Sequence, residues 1–154
     1  MWRGDQIFIS YRGTQHIAAD RIGDHLKARG YVVWRDAERL QHEIGAAWPD
    51  ELDRQVRASA ALIACLSPEY FESDWCKREL QTALDLKKHV YPIWIAPPTP
   101  SQPTPVDHLQ HLSLVPKDSD FDAVMRLLIS NLRQGNIQRG RRYALPRAAA
   151  LIGI

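Results

Sequence analysis

Apolar positions along this chain fall into blocks of two alternating kinds. The first kind is a short continuous run: Ile7-Phe8-Ile9, Tyr31-Val32-Val33-Trp34, Ala61–Leu66, residues 90–95 and residues 112–115. Such runs read as buried strands, and the unbroken Ala61–Leu66 reads as a central parallel strand covered on both faces. Pro92 moves the fourth run toward a sheet edge. The second kind repeats every three or four residues. It predicts a helix over 14–29 that turns Ile17, Ala18, Ile22 and Leu26 inward and stops at Gly30. Another opens at Pro49 and buries Leu52, Val56 and Ala60. A third runs from Ser73-Asp74 through Lys88 on Leu80, Ala83 and Leu84, and a last one over 120–132 carries Phe121, Val124, Leu127, Leu128 and Leu132. Ser67-Pro68-Glu69 is a further helix-start signal. Residues 36–47 show no period and read as a long loop, and five prolines within 97–105 demand a stiff extended connection.

Strand and helix therefore alternate almost strictly. Parallel strands joined by right-handed helical crossovers give an α/β, flavodoxin-like three-layer fold: a five-stranded parallel sheet with helices on both faces. Ligands of such sheets sit beyond the carboxyl ends of the strands, where strand order reverses. The segments that carry function are then the loops after each strand: 10–14, 36–47, 67–75 and 96–107.

Composition narrows the class without changing this picture. A chain of 154 residues, 45% hydrophobic and 25% charged, is one ordinary globular domain and not a disordered or acidic solvating chain. Its apolar runs fall far short of the ~18 residues of a membrane span. The start has no basic-then-apolar leader pattern, and the two cysteines cannot staple a fold, so the expected location is the cytoplasm. Charge is uneven. All 18 acidic residues lie at or before Asp122, whereas Arg133, Arg139, Arg141, Arg142 and Arg147 follow Leu132. The body is thus mildly acidic, which argues against a nucleic-acid-binding domain, and the tail is basic. The boundary falls at 134: residues 1–134 form the domain and 135–154 a basic linker or tail.

The loops exclude several chemistries. Ser10-Tyr11-Arg12-Gly13-Thr14 has a single glycine and cannot be a phosphate cradle of the Gly-rich type. No aspartate follows the third strand to accept a phosphoryl group. The six histidines and two cysteines show no paired zinc-ligand spacing, so no metal is expected. The strongest local feature is Ser73-Asp74-Trp75-Cys76-Lys77-Arg78-Glu79-Leu80. Trp75 and Glu79 stand at i and i+4 on one helix face, about 100° from the Leu80 core stripe. A carboxylate beside a partly exposed tryptophan could hold a ribose against a flat base; it could equally be a surface acid beside a packing residue. Cys76 leads the Leu80–Ala83–Leu84 stripe and reads as a small core residue.

Three blocks in order carry a resemblance. Phe8-Ile9-Ser10-Tyr11-Arg12, then Val33-Trp34-Arg35-Asp36 with Leu40, Gly45 and Trp48, then Leu66-Ser67-Pro68-Glu69-Tyr70 followed by Ser73-x-Trp75-Cys76-x-x-Glu79-Leu80, together resemble the TIR (Toll/interleukin-1 receptor) domain over residues 5–132. The spelling is similar to the bacterial, plant and axonal members that consume NAD+. The resemblance implies that Glu79 is the catalytic carboxylate and that Trp75 is its aromatic partner. It places substrate contacts at Ser10, Tyr11 and Arg12, an acidic position of the so-called BB loop at Glu38, and the loop's aromatic end at Trp48. No histidine stands at the family's place near the fifth strand; His111 is only a neighbour.

What the resemblance implies is an NAD+ glycohydrolase that releases nicotinamide and ADP-ribose or a cyclic isomer, with NAD+ as substrate and no cofactor. It implies activation by TIR–TIR self-association through the BB loop, residues 36–47, in an immune or cell-death response. The alternatives are a non-catalytic TIR–TIR signalling scaffold and a module that binds a nucleotide without cleaving it. In the tail, Leu145-Pro146-Arg147 and Leu151-Ile152-Gly153 loosely resemble the lead-in to a signal-transduction ATPase, which would make the chain the effector piece of a larger sensor.

Overall fold

The structure, a computed structural model, describes residues 5–36, 49–115 and 119–140. Five strands, β1 (Gln6–Ser10), β2 (Val32–Trp34), β3 (Ala61–Leu66), β4 (His89–Trp94) and β5 (Leu112–Ser113), form one sheet. All four pairings are parallel and the order is β2-β1-β3-β4-β5. Among the described residues four helices, α1 (His16–Ala28), α2 (Asp50–Ala58), α3 (Asp74–Asp85) and α4 (Phe121–Gln134), cover it. This is the flavodoxin-like arrangement that the alternation predicts.

The period of two along each strand builds two separate cores. Ile7 and Ile9 of β1 join Ala61, Ile63 and Cys65 of β3 against α1 and α4, through Ala19, Ile22, Leu26, Met125, Leu128 and Leu132. Phe8 joins Leu62, Ala64 and Leu66 on the opposite face against α2 and α3, through Leu52, Val56, Cys76, Leu80 and Ala83. The faces follow from handedness. The chain moves one way from β1 to β2 and the other way from β2 to β3 and β4, so right-handed crossovers put α1 on one side and α2 and α3 on the other.

Several expectations shift. Helix α1 starts at His16, after a 3-10 turn at Gly13–Gln15, and buries Ala19, Ile22, Gly23 and Leu26, whereas Ile17 is 68% exposed. In α4, Met125 and Ile129 take the inward place and Leu127 is exposed. Ala60 lies beyond α2, where its N–H donates to the Gln6 carbonyl at 2.8 Å. The start signal at Ser67 is real but yields only one 3-10 turn, Tyr70–Glu72: the Ser67 hydroxyl accepts from the Tyr70 N–H at 3.0 Å, and Ser73 then starts α3 afresh. Helix α3 ends at Asp85 and the chain turns through Lys87 at φ 57°. Gly30, at φ 89°, stops α1 as read from the sequence.

Pro92 sits inside β4, which pairs on both sides rather than lying at the edge. The Ile95 N–H points to β3, where it bonds the Leu66 carbonyl, and the Trp94 carbonyl points to β5, where it accepts from Leu114. Alternation then aims the Pro92 nitrogen at the β5 side, below the first β5 pairing at Ile93, so no ladder bond is lost.

The chain does not leave the body at 134. Ile137 is buried in the α1–α4 core, and the Gly140 N–H donates to the Gly30 carbonyl at 2.9 Å. A Cβ on Gly135 would crowd the Tyr91 hydroxyl and the His89 ring, side-chain ends that would have to shift to admit it. Residues 141–154, the rest of the expected tail, lie outside the described residues.

Candidate functional site

The sheet order reverses between β1 and β3, and the chain leaves them toward opposite faces of the sheet, which is where the ligand crevice of this fold is expected. Parity decides what β1 sends there. Ser10 follows Phe8 onto the α2–α3 face, whereas Tyr11 follows Ile9 onto the α1–α4 face. The Ser10 hydroxyl, fully buried, donates to Glu79 Oε1 at 2.8 Å and meets the Tyr70 hydroxyl at 2.8 Å. Tyr70 Oη also lies 3.3 Å from the Cys76 carbonyl oxygen.

Helix α3 delivers the acid. Ser73 caps its first turn by accepting from the Cys76 N–H at 3.2 Å, which fixes the rotation of the helix. That rotation sends Trp75, Cys76, Glu79, Leu80 and Ala83 inward. Glu79 is 0% exposed and Trp75 5% exposed. Burial makes the carboxylate sensitive to every donor aimed at it, because little solvent screens them. Across the crevice mouth, the Thr14 hydroxyl donates to Glu69 Oε2 at 2.8 Å and ties the loop after β1 to the loop after β3.

Ser10, Glu79 and Trp75 thus come together from the residues singled out in the sequence. Trp75 is not partly exposed: it belongs to the core beside Tyr70, Cys76 and Leu80, because α3 lies close enough to the sheet to bury that face of its first turn. Tyr11 is buried in the opposite core, with its hydroxyl donating to the Asp36 carbonyl. It serves as a strut between the loops after β1 and β2. Arg12 is half-buried beside that loop, and its carbonyl accepts from Gln15 at 2.7 Å. Glu38, Trp48 and all of the BB loop except Asp36 lie outside the described residues. His111 is held by the Val106 carbonyl at 2.9 Å and stands edge-on to Trp94.

Tyr70 was missed as a site residue, although it stands in the quoted motif. The signal was its place three residues past Ser67, just beyond the carboxyl end of a central strand. The thiols offer no nucleophile: burial, with Cys76 as the lesser cause, pushes Cys65 up to about 12, and Cys76 is fully buried. Among the described residues no group of three or more His, Cys, Asp or Glu side chains could hold a metal, and no helix is long and apolar enough to cross a membrane. A small surface groove opens between Pro68, Phe71 and Trp94, and Glu79 is not among its walls.

Comparison with known proteins places the family and the fold. Residues 7–128 match the family model described as TIR domain. The chain is 29% identical over 97 residues to the probable 2' cyclic ADP-D-ribose synthase BdTIR of Brachypodium distachyon, covering 58% of this chain and 40% of that protein. It is 30% identical over 100 residues to the NAD(+) hydrolase SARM1 of Danio rerio, covering 59% of this chain and 14% of that protein. The chain therefore spans less than half the length of either relative. The TIR domain of the Toll-related receptor TRR-2 from Hydra magnipapillata superposes with a TM-score of 0.63 at 20% identity, over 82% of this chain and 97% of that one. The TIR domains of the activated Roq1 resistosome recognising the effector XopQ give 0.65 at 17% identity, over 83% and 99%. At these identities the two structures show the fold alone.

Proposed function

This chain belongs to the TIR-domain family, and on that premise we propose that it cleaves NAD+ between nicotinamide and ribose, with Glu79 as the reacting carboxylate. The observation that carries the reading is one fully buried acid, hydrogen-bonded by Ser10, beside the point where the strand order reverses. The names of the two curated relatives, a cyclic ADP-ribose synthase and an NAD+ hydrolase, support the same chemistry.

The chemistry suits one carboxylate. Nicotinamide leaves from its pyridinium form as a neutral molecule, so no proton need be delivered to it, and the general acid of an ordinary two-carboxylate glycosidase is dispensable. Glu79 would bind the ribose hydroxyls and stabilise the positive charge that grows at C1′. Trp75 would wall the site against water. Arg12 would pair with the diphosphate through its guanidinium. Ser10 would orient the carboxylate. The product is ADP-ribose when water captures C1′ and a cyclic isomer when a nucleophile of the same molecule does.

A fully buried Glu79 has to be uncovered before a dinucleotide can reach it. Self-association of TIR domains, with residues 36–47 of one copy against another, is the proposed trigger, and a C-terminal sensor or ATPase module is the proposed means of clustering in a cytoplasmic immune response. The test is nicotinamide release from NAD+ by dispersed and by artificially clustered protein. Specific activity should rise with clustering. Activity independent of concentration would remove the composite site, and no nicotinamide from clustered protein would leave the signalling scaffold.

A further inference from the structure

The Ser10–Glu79 contact has a partner that the reaction as drawn does not use. Tyr70 is fully buried, and its ring is fixed edge-on to Phe71 with centroids 5.3 Å apart. Its hydroxyl stands 2.8 Å from the Ser10 hydroxyl and 3.3 Å from the Cys76 carbonyl oxygen. A serine hydroxyl has one proton, and an ionised carboxylate has none. With Glu79 ionised, the Ser10 proton lies on the 2.8 Å contact to Oε1. Ser10 must then accept from Tyr70, and the single Tyr70 proton is committed to Ser10. With Glu79 protonated, the chain can run backwards: Glu79 to Ser10, Ser10 to Tyr70, and Tyr70 to the Cys76 carbonyl, which waits at the far end.

We propose that Tyr70 is a positioning residue for Glu79, acting through Ser10 as a hydroxyl relay whose direction follows the charge on the carboxylate. The inference rests on the reading of Glu79 as the reacting group. In the ionised direction the relay polarises the Ser10 hydroxyl and strengthens its bond to Oε1, which favours the charged form and holds one carboxylate oxygen in place. The other oxygen is then presented in a fixed direction. The ring of Tyr70 packs in the α2–α3 core, so the donor is held by the fold and costs no reorganisation during reaction.

Ionisable side chains from several elements surround the relay. Tyr70 and the Cys76 thiol, one turn before Glu79, stand within the cluster, and α3 itself also carries Asp74, Lys77 and Arg78, all exposed, with Lys77 paired to Asp74. From β1 the neighbouring ionisable residues are Tyr11, on the opposite core face, and Arg12 in the following loop. From β3 it is Cys65, on the opposite face and neutral. On β4, Tyr91 packs toward the opposite core and His89 is exposed. Helix α2 keeps Glu51, Asp53, Arg54 and Arg57 at the surface in pairs of their own.

The test follows both ends of the relay by NMR in protein carrying 13C at the glutamate Cδ and tyrosine Cζ positions. In the unmodified chain the Tyr70 Cζ signal should move with the same midpoint as the Glu79 Cδ signal, because one titration reverses the whole chain. Ser10→Ala should raise the Glu79 midpoint by roughly one to two pH units, the worth of one hydrogen bond to a charged group, and Tyr70→Phe by about half as much. A Tyr70 signal that stays flat through the Glu79 titration overturns the relay, as does an unchanged midpoint in folded Tyr70→Phe. The measurement on the unmodified chain decides the matter even where a variant does not fold. With NAD+, Tyr70→Phe should lower kcat and shift its acid limb upward while KM stays within about twofold. Absence of any cleavage by the unmodified protein would sink the proposed function and leave the two titrations to decide the relay.

Discussion

Strand β1 begins and ends in a buried polar cluster, and the two differ in kind. At its amino end the Gln6 amide donates to the Ser59 hydroxyl at 2.8 Å and to Gln55 Oε1 at 3.0 Å, while Lys88 Nζ donates to the carbonyls of Arg57 and Ser59 at 2.9 and 2.6 Å. Those groups close the carboxyl end of α2, whose last carbonyls have no partner within the helix. At its other end Ser10 faces a fully buried acid through one hydroxyl bond, backed by a second hydroxyl. The amino-end cluster satisfies backbone that the fold leaves open. The carboxyl-end cluster satisfies no helix end; it creates a problem, a buried carboxyl group, and arranges donors around it. A polar cluster that solves no structural problem is a candidate for chemistry.

The largest effect expected is at the wall of the site rather than at its acid. Trp75→Ala empties a packed position that is 5% exposed, and it should cost about 3–5 kcal/mol in a denaturant melt. A loss below about 1 kcal/mol would mean that the first turn of α3 is not part of the core, and the two clusters would no longer be comparably buried. This sensitivity makes Trp75→Phe the better kinetic probe of the aromatic wall.

Glu79→Gln separates the two clusters most directly. It keeps the volume and leaves an oxygen for Ser10 to donate to, and it removes the charge. NAD+ cleavage should fall by about 10²–10³-fold, the worth of an electrostatic group aimed at a transition state. The melt should stay level or rise, since a neutral amide is cheaper to bury than an ionised acid. A folded variant with near-normal turnover would remove Glu79 from the reaction. A marked drop in stability would make Glu79 the counterpart of Gln6, a structural group at the other end of the same strand.

How far this contrast was legible depends on which force sets each part. The sheet was readable because apolar runs and helical periods report burial directly, and the reversal of direction after β1 then fixed which loops open the crevice. Parity along β1 was readable too: Ser10 follows Phe8 and Tyr11 follows Ile9, so their separation onto opposite faces was present in the alternation. The substrate contact given to Tyr11 came from resemblance instead, and the structure buries that ring. Burial of Trp75 was not readable, because a face about 100° from the core stripe is exposed or buried according to how closely the helix lies on the sheet. Ile17 and Leu127 show the converse, apolar residues at helical spacing left in solvent by the same local rotation. Tyr70 escaped because a one-turn 3-10 segment has no period, and its hydroxyl finds Ser10 across 60 residues of chain.

The smallest effect belongs to the amino-end cluster, and Lys88→Met measures it. The substitution keeps the apolar stem and removes two donations to the end of α2, so stability near neutral pH should fall by about 1 kcal/mol. Cleavage of NAD+ should not change, because the cluster lies at the opposite end of β1 from Glu79. Burial, followed by the charge of Arg57, lowers the Lys88 amino group from its ordinary value. In the window between that lowered value and the ordinary one, the unfolded chain therefore binds more protons than the folded chain, and folding stability rises with pH. Burying the cation costs stability below the window, and the cost is relieved as the amine loses its proton, while a neutral amine still has two N–H groups for the two carbonyls. The methionine variant has nothing to titrate there. The gap between the two proteins should thus widen as pH climbs toward the ordinary lysine range. Denaturant melts of both proteins at stepped alkaline pH check this. A gap that stays constant would mean that the ammonium carries no burial cost, and a fall in NAD+ cleavage in the variant would mean that the two ends of β1 are coupled.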